Sequence, residues 1–522
     1  MTSHQTGGHS PQQEAFDQSN RRVLQGIGLI FLLYCGSLAF HLPQRGTELV
    51  LDASHHAGPA AEVENAAPPL AMLAPFALLL SAIAVFPLLP RVSHWWESNS
   101  HKFLVAALLA AATLAYFFFW HSTPIAAHWP AHHVVSPSAS GPNFGLTWGV
   151  LGGALLGEYV PFMVLLFSLY TICGGIRIEG DLPARPMTNT LFLLVGGVLA
   201  SFIGTTGAAM LLIRPLLHTN RERKHVVHTV IFFIFIVCNC GGCLLPIGDP
   251  PLFLGYLLGV PFLYTFDLWK EWLFVNGLLL AIYFLWDSFW HHPRETKTDL
   301  RTDETRVHRL RFAGLWPNIP LLLLVVFSVA TLDPGKPFPG TDWHPWMYLR
   351  EAVQLMLVAA SLALGDAHSR RQNHFNYFAI VEVAALFFGI FIAMQPALQI
   401  LDVLGPKLGL STPTHFFWAS GGLSSFLDNA PTYVVFFTAA KALTHSGGLA
   451  DPVAGVSRGL LAAVSLGSVF MGANTYIGNG PNFMVKAIAE QSDVKMPSFF
   501  GYMLYSMAIL IPIFILTDWL FL

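Results

Sequence analysis

The chain has 522 residues, 54% of them hydrophobic and 11% charged, with a mean hydropathy of +0.55. A soluble domain carries about 25% charged residues, so an ordinary soluble globular protein is excluded. A formal net charge of −3, from 27 basic and 30 acidic side chains, also excludes a polycation that grips nucleic acid.

In chain order, a polar tail over 1–21 leads through Arg21-Arg22 into a first apolar run near 23–41. The run lacks a small-x-small cleavage site and is longer than the apolar core of a signal peptide, so it reads as a retained extra span, with an outer loop completing 22–68. Further runs of about twenty residues, the length that crosses hydrocarbon, lie near 69–89, 103–120, 146–173, 225–259, 271–290, 314–331, 346–366, 377–400, 458–489 and 499–521. Two more, 188–217 and 411–443, are interrupted by Gly204-Thr205-Thr206-Gly207 and by Asp428-Asn429-Ala430-Pro431. Their halves read as too short to cross, which makes them re-entrant hairpins. The fold class expected is an all-α polytopic membrane protein with about eleven transmembrane helices and two re-entrant hairpins.

Basic residues test this assignment. If each hairpin returns to its side of entry, one set of segments holds Arg21, Arg22, Arg91, Lys102, Arg177, Arg185, Arg221, Arg223, Lys224, Arg370 and Arg371, while the opposite loops 42–68 and 121–145 hold only Arg45. By the positive-inside rule the N-terminus is cytoplasmic and the C-terminus outside, in an inner (plasma) membrane. The first repeat is then 69–290 and the second, inverted, 314–522, joined by a cytoplasmic linker at 291–313 with six Arg or Lys against four Asp or Glu. His121, His128, His132 and His133, with His55 and His56, read as polar loop residues. The five cysteines are too few and too apolar in context for a disulfide framework.

Each half carries a span with a carboxylate near its start, Glu158 or Glu382, then a hairpin, then a broken span. The breaks align as Leu245-Pro246-Ile247-Gly248-Asp249-Pro250-Pro251 against Thr475-Tyr476-Ile477-Gly478-Asn479-Gly480-Pro481. Paired interruptions of this kind mark the binding site of a secondary transporter. Free N–H groups at half-helix starts attract anions, and unwound carbonyls coordinate a hard cation such as sodium. An intramembrane aspartate is costly unless it pairs with a cation or takes up a proton. Asp249 before Pro250-Pro251 also reads as a plain helix N-cap, as does Asp428.

The candidate ion- or substrate-binding residues are therefore Thr205, Thr206, Gly248, Asp249, Asp428, Asn429, Thr432, Asn474 and Asn479, with sodium expected near Asp428, Asp249 and Asn479. Asp428, Asp249, Glu158 and Glu382 are the candidate proton carriers. No P-loop occurs, and Pro246-Ile247-Gly248-Asp249 lacks the partner Tyr-Asp pair of an intramembrane aspartyl protease, so no enzyme and no cofactor is expected.

The segments Leu427-Asp428-Asn429-Ala430-Pro431-Thr432 and Ile247-Gly248-Asp249-Pro250-Pro251 resemble the signatures of the ion transporter superfamily, which includes NhaD-type sodium/proton antiporters, arsenite permeases and citrate or dicarboxylate carriers. The resemblance covers roughly 145–260 and 375–490. It implies an elevator-type transporter, commonly a homodimer. The chain departs from the carboxylate carriers' Ser-Asn-Thr-like tips, and its first tip has Thr205-Thr206 where some relatives have Asp-Asn. Acids at the breaks, with few bases nearby, favour a sodium/proton antiporter that uses sodium and/or protons as coupling ions. The alternative is sodium- or proton-coupled transport of citrate or a dicarboxylate, and after it arsenite efflux. Small ions or small organic anions and the lipid bilayer are the expected partners, with no nucleic acid.

Overall fold

Backbone groups in hydrocarbon must bond within their own segment, and almost every apolar run of this sequence is helical. The computed structural model describes residues 11–55, 67–138, 141–295 and 308–522. The first part of the chain forms α1 (Pro11–Ala39), α2 (Leu42–His55), α3 (Ala74–Val85), α4 (Asn99–Phe119) and α5 (Phe144–Cys173). The first tight helix pair is α6 (Pro186–Ile203) and α7 (Thr205–Thr219), and the first broken span is α8 (Val227–Ile236) and α9 (Pro250–Leu257). Then come α10 (Trp269–Trp286), α11 (Leu315–Thr331), α12 (Leu349–Leu364), α13 (Phe378–Ala393) and α14 (Gln395–Leu404). The second tight pair is α15 (Pro413–Ser424) and α16 (Asn429–Gly447), the second broken span α17 (Arg458–Met471) and α18 (Gly480–Gln491), and the last helix α19 (Phe499–Phe521).

Among the described residues, six helices are long and apolar enough to cross a membrane, or seven if the bent pair α13 and α14 counts as one span. The expected count of about eleven transmembrane helices is not reproduced among the described residues. The run at 225–259 is split into helices of 10 and 8 residues and that at 458–489 into helices of 14 and 12. Conversely, α6 alone has the length and apolarity to cross, contrary to the expectation that each hairpin half is too short. It is Gly204, at φ +81°, that separates α6 from α7 by a single residue and lets the two helices pack on each other.

Other expectations are corrected by local pairing. Residues 42–55, read as loop, form α2, held to the segment before α12 by Thr47 Oγ1 donating to Pro345 O at 3.1 Å and by Met347 N donating to Thr47 Oγ1 at 3.0 Å. The loop at 121–145 contains an antiparallel pair, β1 (Ile125–Ala127) and β2 (His133–Val135). The linker is anchored rather than freely solvated at its end, since β4 (His308–Ala313) pairs with β3 (Arg177–Asp181). Linker residues 296–307, and His56, lie outside the described residues.

Small residues set the closest helix contacts. In α17, a Cβ on Gly467 would meet Phe417 O at 2.5 Å and Gly421 N at 3.2 Å of α15. Elsewhere polar side chains tie helices together: Lys102 of α4 reaches Glu382 of α13 at 2.5 Å, and the buried Arg370 donates to Thr171 O and to Ser361 O at 3.2 Å. The close approach of α15 and α17 leaves no room for a methyl group, so Gly467→Ala is expected to destabilise the protein by about 1–3 kcal/mol. Gly277→Ala in α10, with nothing within 4 Å of its would-be Cβ, should be neutral or stabilise by about 0.4–1 kcal/mol. Thermal melts of the two variants in detergent would compare them directly.

Candidate functional site

Each helix pair presses its tip onto the break of its own half. In the first half, Thr205 N donates to Gly248 O at 2.8 Å and Ser201 Oγ to Gly241 O at 2.6 Å. In the second, Ser425 Oγ donates to Met471 O at 3.1 Å, and Thr475 Oγ1 donates to Ser425 O at 2.5 Å. Glycines make the approach possible. A Cβ on Gly248 would strike Gly242 O, and one on Gly478 would meet Gly472 O at 2.5 Å and Ser424 O at 2.7 Å. The two glycine pairs have the same spacing and precede Asp249 and Asn479, each the N-cap residue of the helix that resumes the span.

Neither side chain caps its own helix; both point across the molecule. The Asp249 carboxylate, 1% exposed, accepts from three other elements. Thr205 Oγ1 at the first tip lies 3.0 Å from Oδ1, Asn479 Nδ2 at the second break 3.2 Å from Oδ1, and Asn429 Nδ2 at the second tip 2.6 Å from Oδ2. Thr205, Asp249, Asn429 and Asn479 stand at the starts of α7, α9, α16 and α18. Four helix N-termini therefore meet at one carboxylate. The partial positive charge of these helix starts favours an anion there.

A second layer of amides fixes this arrangement. Asn479 Nδ2 also lies 3.0 Å from Cys238 O, Asn239 Nδ2 donates to Asn482 Oδ1 at 2.8 Å, and Asn482 Nδ2 donates to Gly472 O and Thr475 O at 2.9 Å each. Asn239 and Asn482 were not singled out from the sequence, although two buried asparagines at corresponding breaks in apolar runs are a usable signal. Asn429 turns its amide nitrogen to Asp249, which leaves its Oδ1 buried and without a donor; Asn474 Oδ1 is likewise buried and unpaired.

The remaining candidates stand apart from Asp249. Asp428 caps α16 by accepting from Ala430 N at 3.1 Å, and Thr432 Oγ1 donates to Asp428 O at 3.0 Å. Asn474 Nδ2 donates to Ser425 Oγ at 2.9 Å. Thr206 is half-buried beside Thr205, and Gly248 contributes its carbonyl. Glu158 lies in a π-helical stretch, Gly153–Tyr159, with Oε2 buried and without a hydrogen-bond partner. Glu382 is engaged by Lys102. Cys238, Cys240 and Cys243 are free and buried, and among the described residues no group of three or more His, Cys, Asp and Glu side chains forms a metal-binding set.

A family model described as "Putative citrate transport" matches residues 109–522, a stretch that takes in both tips and both breaks. No curated protein matches the chain.

The geometry ranks the donors to Asp249. Thr205→Val removes one of the two donors to Oδ1 and keeps the side-chain shape, so it is expected to cost about 1–3 kcal/mol. Thr205→Ser keeps the hydroxyl and should restore most of that stability. Melting temperatures of the two variants would check this, and equal values would contradict it.

Proposed function

The chain belongs to the citrate transport family whose model spans residues 109–522, and on that premise we propose that it is a cation-coupled secondary transporter of citrate or a related small carboxylate. The observation that supports this most is the meeting of four helix N-termini at Asp249. A multivalent carboxylate is repelled by a bare aspartate. Neutralising Asp249 with sodium or a proton removes the repulsion and leaves the N–H groups of the helix starts to hold the substrate. Cation binding then becomes the condition for anion binding, which is coupling in thermodynamic terms.

The residues divide accordingly. Asp249 with the unpaired Oδ1 of Asn429 offers oxygen ligands to a hard cation. Thr206 and the backbone starts of α7 and α16 face the substrate carboxylates, and Asp428 holds the start of α16 in shape. Glu158 and Asp428 are further candidate proton carriers, and Glu382 is assigned to its ion pair with Lys102. Around this site we place two inverted halves with re-entrant tips, moving as an elevator in a homodimer. In this arrangement the N-terminus is cytoplasmic and the C-terminus outside.

Sodium/proton antiport is the second reading, favoured by one observation: Asp249 has three neutral donors and no bonded cationic side chain, so its charge is available to a mobile cation.

Proteoliposomes separate the two. Labelled citrate should accumulate when a sodium or proton gradient is imposed, and Asp249→Asn should lower that uptake by at least about tenfold, the loss of one charge-assisted contact. Sodium-driven proton movement with no citrate uptake would replace the first reading with the second.

A further inference from the structure

The far ends of α7 and α18 and the start of α8 enclose a cavity of about 990 Å³. Its wall carries Arg214, Lys224, His374 and Lys495, together with Arg221, which is paired with Glu222 at 2.6 Å, and among the described residues the one acid lining it is Asp493. Arg223 also lines it, but its guanidinium is committed to Asp287 at 3.0 and 2.5 Å and lies 3.7 Å from Glu295. Arg214 differs from the paired Arg221 and Arg223. It is half-buried in α7, and among the described residues it makes no hydrogen bond or ion pair. Withdrawing a guanidinium from water without an acid costs free energy that a bound anion would offset.

The placement is as informative as the charge. The helices that wall the cavity, α7 and α18, begin at Thr205 and just after Asn479, two of the groups bonded to Asp249. Nine residues of α7 separate Thr205 from Arg214, roughly 14 Å along the helix. The cavity therefore sits one helix length from the central carboxylate and has the opposite sign of charge. Clefts lined by one sign of charge concentrate the opposite ion.

We propose that this cavity is a second binding site, for a small multivalent oxyanion such as a polycarboxylate, with Arg214 as its principal ligand and Lys495 as a weaker one. The site is a staging position for the substrate proposed above, and it rests on that reading only for the choice of citrate as probe. The guanidinium presents a fork of donors to carboxylate oxygens, and the exposed Lys495 adds a point charge at the mouth.

Calorimetric titration of citrate and of inorganic phosphate into the full-length protein in neutral-lipid nanodiscs tests the assignment. The wild type should bind both anions, Arg214→Gln should weaken this binding about tenfold, and Arg214→Lys should recover part of it. Lys495→Gln, an exposed substitution, should weaken it about threefold and gives a reading if Arg214→Gln does not fold. Repeating the titration in phosphatidylglycerol discs identifies the occupant. Competition assigns the oxyanion site to lipid headgroups, and its absence assigns the site to soluble anions. Unchanged affinity in folded Arg214→Gln, or no anion binding by the wild type, overturns the proposal. If the wild type binds citrate through Arg214 but carries none across the membrane, the transport reading falls and the site stands.

Discussion

The carboxylate of Asp249 is the point on which the rest of the structure depends. Charge buried this deeply is tolerated only when several donors converge on it, and here each donor comes from a different element: a tip in the first half, a tip in the second and the opposing break. Hydrogen bonds to an ionised group contribute about 1.5–3 kcal/mol each. Removing the carboxylate would therefore leave Thr205 Oγ1 and Asn429 Nδ2 without the acceptor they share, while Asn479 Nδ2 would keep Cys238 O, and four helix starts would lose their common partner.

Broken helices are the structural cost of such a site. Ending α8 near Ile236 and restarting at Pro250 releases backbone groups that the helix would have satisfied. The protein answers with side chains of its own: Ser201 and Ser425 bond break carbonyls, Thr475 bonds the second tip, and Asn482 closes two further carbonyls. Gly248 and Gly478 let the tips come close enough for those bonds. The two halves match in these supports and differ at the centre, where one has Asp249 and the other Asn479. A second aspartate in place of Asn479 would set two like charges about 3 Å apart, which disfavours the ionised form of both. An amide donates instead, so the centre has one carboxylate held by both halves.

Much of this was legible in the sequence because it rests on local chemistry. Gly204 and the Asp428-Asn429 pair marked the tips, and Gly-Asp-Pro-Pro against Gly-Asn-Gly-Pro marked the breaks, since glycine, proline and capping residues act on their own segment of backbone. The breaks of α8 from α9 and of α17 from α18 fall where the sequence placed them. Span length fared less well: α6 has the length to cross, where its half of the hairpin read as too short. The helix at 42–55 and the pairing of β3 with β4 were missed because each is stabilised by distant chain: Thr47 by Pro345, and Arg177–Asp181 by His308–Ala313.

The sequence by itself determined the solvent of this protein and the places where its helices stop, since hydropathy and backbone preferences are properties of neighbouring residues. Only the tertiary structure decided what the polar groups at those stops do. Asp428 and Asp249 look alike in sequence, each an aspartate ahead of a helix with proline close by. Asp428 turns back to cap α16, whereas Asp249 turns away from α9 toward Asn429 and Asn479, 180 and 230 residues further along the chain. Which donors face a carboxylate depends on how the halves pack. That packing made Asp249 the centre and left Asp428 at its edge.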